Sequence, residues 1–389
     1  MSGTSLDGVD GVLVDLSRAS PRVLEHVHLA FDAPFAAELL ALNTPGANEV
    51  HRCALAANGL ARRYAQVVQR LLDASGTPAE AVQAIGAHGQ TIRHRPQEFD
   101  ANGYTVQLNN PALLAEWTGI DGVADFRSRD VAAGGQGAPL VPAFHQAVFG
   151  QTTQPTCVLN IGGIANLTVL PHASGDRRSG DGTADPAPAS PGDLLGGGAA
   201  PATLLGFDCG PGNALMDHWS MLHLGTPFDG DGAWAASGSV HAPLLQRLLA
   251  EPYLAKAPPK STGRDLFNPA WLAERLQPFA GLPAADVQAS LCAFTAQACA
   301  DAVRQYATQT RLLVVCGGGA LNASLMRRLQ QALPQAVVDP SSRHGLPALQ
   351  VEAVAFAWLA HKALRRETAS LASVTGARGA RVLGAVYPR

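Results

Sequence analysis

The chain has 389 residues, 47% hydrophobic and 15% charged, with a formal net charge of −3. That length exceeds one ordinary core and points to two domains, while the charge balance and the absence of a long apolar run argue against nucleic-acid and membrane partners. Six scattered cysteines without a C-x-x-C pair, and no charged-then-apolar leader, predict free thiols in a reducing cytoplasm and no structural zinc site.

The chain opens on "MSGTSLDGVD", a turn of small polar residues from Ser2 to Asp7, and Val12, Leu13, Val14 and Leu16 then read as a strand. "RVLEHVHLAF" (22–31) alternates and predicts a second strand. Tyr64, Val67, Val68, Leu71 and Leu72 fall at helical spacing within residues 51–75, and "ASGTP" ends that helix. "VQAIGAHGQT" (82–91) and "YTVQL" (104–108) predict short strands, "PALLAEW" (111–117) a helix and "IDGVAD" (120–125) a strand. "PLVPAFHQAVFG" (139–150) reads as a helix leading out of a first domain, residues 1–150.

The second domain, residues 151–389, starts over. "CVLNIGGIANLTVL" (157–170) is a hairpin by its Gly-Gly turn, and "LLGFD" (204–208) is a third strand. Between them, residues 173–203 are rich in Gly, Pro, Ala, Ser and Asp and predict a disordered insertion. A long helix near 287–307, a strand "RLLVVC" (311–316), a helix from Asn322 and a helix "VEAVAFAWLAHKAL" (351–364) follow. That last helix can cross back to the first domain. Both halves thus open with strand, small-residue turn, strand, strand, which suggests two α/β domains with a ligand cleft between them.

Five stretches can carry chemistry. Gly3-Thr4-Ser5-Leu6-Asp7-Gly8 offers N–H groups and hydroxyls to phosphate oxygens, and Asp7 a carboxylate to magnesium; taken singly, a plain β-turn is the better reading. Asn160-Ile161-Gly162-Gly163 permits close backbone approach, again with a bare hairpin turn as the simpler reading. In Gly206-Phe207-Asp208-Cys209-Gly210-Pro211-Gly212-Asn213 an aspartate ends a strand before a glycine turn, where open α/β sheets place ligands; helix capping is the competing role for Asp208. Gly317-Gly318-Gly319, with Asn322 after it, makes a side-chain-free surface suited to adenine, ribose or phosphate. Gln90, Thr91 and Gln136 can bond hydroxyls or amides, and Arg127 and Arg129 can grip a carboxylate; surface ion pairing is the alternative. "PPKSTG" (258–263) has the Lys-Ser-Thr of a phosphate loop without its leading glycines. His88 and His94 are expected to hydrogen-bond.

Together "MSGTSLDGVD", "GAHGQT", "DFRSRD", "GGQGAPLVPAFH", "LNIGGIANLT", "GFDCGPGN", "APPKSTGRDLFN", "VVCGGGALN" and "EAVAFAWLA" resemble the actin/hsp70/sugar-kinase superfamily, and within it the anhydro-N-acetylmuramic acid kinase family. The resemblance implies a two-domain actin-like (ribonuclease-H-like) α/β fold with an interdomain cleft. It implies ATP and Mg2+, and phosphorylation of 1,6-anhydro-N-acetylmuramic acid at O6 with hydration of its anhydro bridge, in peptidoglycan recycling. Asp208 matches the general base and Glu352 a supporting carboxylate, with Asp125 next in rank as base; Thr91 and Arg127 match sugar contacts. Gly3 to Asp10 (including Val9 and Asp10), Asn160, Gly162, Gly163, Gly210, Gly317 to Gly319 and Asn322 match the nucleotide site, with Asp7 toward the metal. A homodimer is compatible with the resemblance alone. A kinase for another sugar and an ATP-gated clamp are the alternatives. The family carries a short strand ahead of "MSGTSLDG" that this chain lacks, so the expectation is a fold that survives with weakened ATP affinity.

Overall fold

The computed structural model describes residues 1–3, 6–18, 20–150, 152–172, 204–264 and 266–389. The insertion expected at 173–203 lies outside them, as do Thr4 and Ser5. The chain forms two compact units, Met1–Phe144 with Gln350–Arg389, and His145–Leu349. The sequence reading drew the boundary at 150/151 and gave the remainder to the second domain, with a C-terminal helix able to cross back; in the structure residues 145–150 join the second unit and 350–389 the first.

In the first unit, β1 (Gly8–Asp15) pairs antiparallel with β2 (Arg22–Ala30). β1 begins four residues earlier than the Val12 start read from the sequence, so Gly8, Val9 and Asp10 belong to the strand. The predicted strand 82–91 is broken: β3 is only Ile85–Gly86, and β4 (Gln90–Pro96) pairs with β5 (Gly103–Leu108). Gly89, at φ +81, makes the bend between them, and a Cβ there would stand 2.6 Å from the Leu108 carbonyl oxygen. β6 (Gly122–Ala124) runs parallel to β3 and antiparallel to the strand Ala385–Tyr387.

The helix Glu49–Ser75 buries Leu60, Tyr64, Val67 and Leu71, a 3.6-residue stripe, against Val9, Ala87 and Leu114. It stops at Gly76, left-handed at φ +65, whose N–H bonds the Leu72 carbonyl. The helix Val351–Leu364 packs Phe356, Leu359 and Ala360 with Val123 and Phe126. Its approach to β3 is close enough that a Cβ on Gly86 would lie 2.3 Å from the Phe356 carbonyl oxygen.

The second unit is built on a five-stranded sheet of β7 (Thr156–Ile161), β8 (Ile164–Val169), β9 (Leu205–Pro211), β10 (Leu312–Cys316) and β11 (Val337–Pro340), in the order β11-β10-β7-β8-β9. β10 is parallel to β7 and β11, while β8 is antiparallel to β7 and β9. β7, β9 and β10 therefore end on the same side. Every β7 and β10 residue is buried, as expected of strands covered on both faces. The helix Ala284–Tyr306 buries a nearly continuous run from Val287 to Val303. Phe207, Phe267, Trp271 and Phe294 join the core of this unit, each worth about 1.5–3 kcal/mol of burial. Among the described residues, no helix is long and apolar enough to cross a membrane.

Candidate functional site

In the second unit, the shared end of β7, β9 and β10 is lined by backbone. The turn Gly162-Gly163 after β7 receives hydrogen bonds from the stretch after β9: Gly212 N–H to Gly163 O at 3.0 Å, and Asn213 N–H to Gly162 O at 2.8 Å. A Cβ on Gly212 would sit 2.2 Å from the Gly162 oxygen. After β10, Gly317 is left-handed at φ +78 and lies against Asn160 and Ile161; a Cβ there would meet Asn160 Oδ1 and Ile161 O at 2.6 Å. Gly319 packs against the Ile161 side chain, and Gly318 faces Asn213 Nδ2, which donates to Ile161 O at 3.1 Å. Asn160, Gly162, Gly163 and Gly317 to Gly319 are thus brought to one place, while Gly210 lies within β9, paired with Ala165 and facing Leu254 and Ala298. The parallel pairing of β10 with β7 puts their ends side by side, where ligands meet open α/β sheets. Asn322 caps the helix Ala323–Ala332, its Oδ1 accepting from Leu325 N–H at 2.9 Å.

Asp208 sits in β9 with a bulge beside it: Asn166 of β8 pairs with Asp208 and Ala165 with Gly210, leaving Cys209 as the extra residue. Bulges of this kind re-aim side chains next to functional sites. Among the described helices, none has Asp208 as its N-cap. Its Oδ2 accepts from the Thr262 N–H at 3.0 Å.

In the first unit, the opening turn is fastened by hydroxyls. Ser2, 1% exposed, bonds Gly89 O at 3.2 Å and lies 3.1 Å from the Tyr64 hydroxyl, which accepts from Gly89 N–H. Burial pushes the Tyr64 phenol up to about 12. The Met1 amino group donates to Asp10 O at 2.8 Å; burial pulls it down to about 6 against the attraction of Asp10 and Glu352. Leu6 is left-handed at φ 58, and Asp7 is exposed. Val9 is buried in the core, and Asp10 Oδ1 lies 2.9 Å from His28 Nδ1, so these two residues of the expected nucleotide loop are engaged within the β1–β2 pair.

Arg127 reaches His88 with Nε at 3.1 Å and Nη2 at 2.9 Å, and Gly137 O with Nη1 at 2.8 Å. His88 donates from Nδ1 to Gly89 O at 2.7 Å, which leaves Nε2 as the acceptor. Burial, and then the Arg127 charge, hold His88 far below its usual range, so it is neutral. Its ring lies 4.5 Å from that of Phe356. Gln90 is 1% exposed and its buried Oε1 has no hydrogen-bond partner, while Thr91 Oγ1 accepts from Gln107 at 3.3 Å. Glu352 stands in the first turn of the helix Val351–Leu364. Asp125 is exposed and left-handed at φ 55 just past β6, a strained position for a non-glycine residue, with Ser128 donating to it.

The sequence reading gave no role to Thr262, Lys260 or Tyr253 at Asp208, or to the His88–Arg127 contact. The fragments "KST" and "AHG" were visible; their pairing depends on the fold.

A sequence profile of the anhydro-N-acetylmuramic acid kinase family matches residues 1–178 and 199–389. A curated anhydro-N-acetylmuramic acid kinase of Variovorax paradoxus (strain S110) is 62% identical over 388 residues, spanning 100% of this chain and 97% of that protein. The one of Albidiferax ferrireducens (strain ATCC BAA-621 / DSM 15236 / T118) is 59% identical over 394 residues, spanning 100% and 98%. Among solved structures, the activator of the 2-hydroxyisocaproyl-CoA dehydratase from Clostridium difficile with bound ADPNP aligns over 94% of this chain and 96% of that one, at 12% identity and a TM-score of 0.41.

Proposed function

The chain belongs to the anhydro-N-acetylmuramic acid kinase family, and from that premise we propose that it converts 1,6-anhydro-N-acetylmuramic acid, ATP and water to N-acetylmuramic acid 6-phosphate and ADP, a step in peptidoglycan recycling. The water oxygen bonds to C1 as the C1–O6 bond breaks. O6 takes the γ-phosphoryl group, ADP leaves, and the proton of the water passes to Asp208. The observation that carries this reading is the Asp208 carboxylate at the bulge of β9, where its Oδ2 accepts the Thr262 N–H.

The backbone surface at Gly162, Gly163, Gly210 and Gly317 to Gly319 is assigned to ATP. These glycines bring no side chain of their own to a ligand. In the first unit, Thr91, Gln90 and Glu352 are assigned to the sugar and the Arg127 guanidinium to its lactyl carboxylate, a charge-assisted pairing that suits a planar fork. Among the described residues, no cluster of three or more His, Cys, Asp or Glu side chains is gathered for a metal. The single exposed carboxylate of Asp7 fits magnesium, which is commonly held by one or two carboxylates, waters and substrate phosphates. When bound, the ion neutralises charge on the phosphates.

Asp208→Asn tests the assignment. Sugar-dependent ADP release is expected to fall about 10²–10⁴-fold, the usual worth of a general base, with the ATP dissociation constant unchanged. Activity near the wild-type level would remove Asp208 from the role.

A further inference from the structure

In the first unit, the stretch Gly134–Gly137 wraps around one side chain. Asp130, buried in the short helix Ser128–Ala132, accepts at Oδ2 from the Gly137 N–H at 2.8 Å and at Oδ1 from the Thr375 hydroxyl at 2.8 Å. Its backbone carbonyl accepts from the Gly135 N–H at 2.9 Å. A Cβ on Gly135 would stand 2.2 Å from Asp130 Oδ2, and Gly137 is left-handed at φ +66, so the loop closes on the carboxylate only with glycine at both positions. Residues 375–378 shut the other side: the Gln136 N–H donates to Thr375 O at 2.7 Å and the Arg378 N–H to Ala133 O at 2.9 Å. A buried carboxylate is costly unless hydrogen bonds satisfy it. Here its two oxygens tie the loop to a residue 245 positions further along the chain. Gly137 also faces the guanidinium. Its N–H is fixed by Asp130, and its carbonyl accepts from Arg127 Nη1 at 2.8 Å, while Arg127 Nε and Nη2 rest on His88 Nε2. Contacts on two edges of a rigid planar fork set its rotation.

We propose that Asp130 is a positioning residue for substrate choice: by fixing the Gly137 N–H it holds the Gly137 carbonyl where Arg127 Nη1 meets it, and so sets the guanidinium at the angle that tells a charged lactyl carboxylate from a neutral group. This rests on the assignment of Arg127 to that carboxylate. A left-handed glycine turn has wide backbone freedom when nothing fastens it. Without the Asp130 side chain the Gly137 carbonyl loses its reference, and one edge of the guanidinium loses it too. The Thr375 hydroxyl joins the C-terminal segment to the same carboxylate, so a residue remote in sequence takes part in the choice.

The experiment measures by calorimetry the dissociation constants of 1,6-anhydro-N-acetylmuramic acid and of its lactamide, in which a neutral carboxamide replaces the carboxylate. Their ratio is the preference for the charged group. Asp130→Ala is expected to shrink that preference about 10-fold, the low end for a hydrogen bond to a charged group, by weakening the acid while the lactamide and ATP bind as before. Asp130→Asn keeps an acceptor for the Gly137 N–H and offers a donor to the Thr375 hydroxyl, and is expected to restore the preference. Thr375→Val removes only the partner of Oδ1, is expected to shrink the preference about 3-fold, and decides the matter if Asp130→Ala does not fold. An unchanged preference in Asp130→Ala, or in Thr375→Val where that variant decides, overturns the proposal. Equal weakening of the acid and the lactamide overturns it as well, since a merely structural loss would act on both. Arg127→Ala separates the two assignments: a preference kept without the guanidinium removes Arg127 from the carboxylate, whereas one lost there and kept in Asp130→Ala removes the positioning role alone.

Discussion

In the second unit, the turns at Gly162, Gly212 and Gly317 meet backbone to backbone, and a single added methyl at Gly212 or Gly317 has nowhere to go. In the first unit, the candidate site is fastened by side chains: Ser2, Tyr64 and Gly89 around the opening turn, and His88, Arg127 and Gly137 around the guanidinium. The two constructions fail differently. A backbone surface tolerates no added volume but needs no charge state. A side-chain network accepts small changes of volume, yet depends on which nitrogen carries a proton and on the fork of one arginine.

The largest effect is expected at Gly212→Ala, whose Cβ would stand 2.2 Å from a carbonyl oxygen that cannot swing away. A stability loss of about 1–3 kcal/mol or more is expected from overpacking, with ATP affinity down at least ~10-fold. Calorimetry and nucleotide titration check both, and a variant with wild-type ATP affinity would mean that this surface does not hold the nucleotide. Arg127→Lys sharpens the other half. An ammonium cannot reproduce the paired donors to His88 together with the one to Gly137, so the sugar KM should rise roughly 10- to 100-fold while ATP binding stays put. Loss of ATP affinity in this variant would erase the contrast between the units.

The smallest effect is on pH dependence. Burial pushes His145 in the second unit down to about 3; burial and then the Arg127 charge push His94 in the first unit down to about 4. Unfolded histidines titrate near their ordinary value, so between that value and these folded ones the unfolded chain binds more protons, and stability falls as pH drops. At pH 5.5 His145 should cost about 1 kcal/mol relative to pH 7.5, read from urea midpoints. His145→Phe removes that share and leaves those from His94 and His88. An identical decline in variant and wild type would show that His145 is not held neutral.

Glycine made the second unit legible. The absence of a Cβ is a local property, so "NIGG", "GPGN" and "CGGG" announced close approach, and the apolar runs before them announced β7, β9 and β10. Asp208 was singled out as a carboxylate at the end of a strand 204–208, whereas β9 runs on to Pro211 and holds Asp208 in its interior, because Gly210 and Pro211 weaken the strand signal. The side-chain networks were not readable. Arg127 finds His88 39 residues away and Asp208 finds Thr262 54 residues away, and neither spacing is periodic in anything. The return of residues 350–389 to the first unit follows from Phe356 packing near Gly86, Phe126 and His88, a fit of surfaces that hydrophobic pattern alone leaves open. The start of β1 at Gly8 was missed because glycine and aspartate at positions 8 and 10 weaken the strand signal.

The extra residue at Cys209 has a consequence for anyone who would transplant this turn. Side chains along a strand alternate in parity, and one surplus residue inverts that parity for all that follows. Borrowing Gly210–Asn213 for another scaffold without Cys209 would turn Pro211, the last side chain of β9, toward the opposite face, and the turn that follows would leave the strand in the wrong phase.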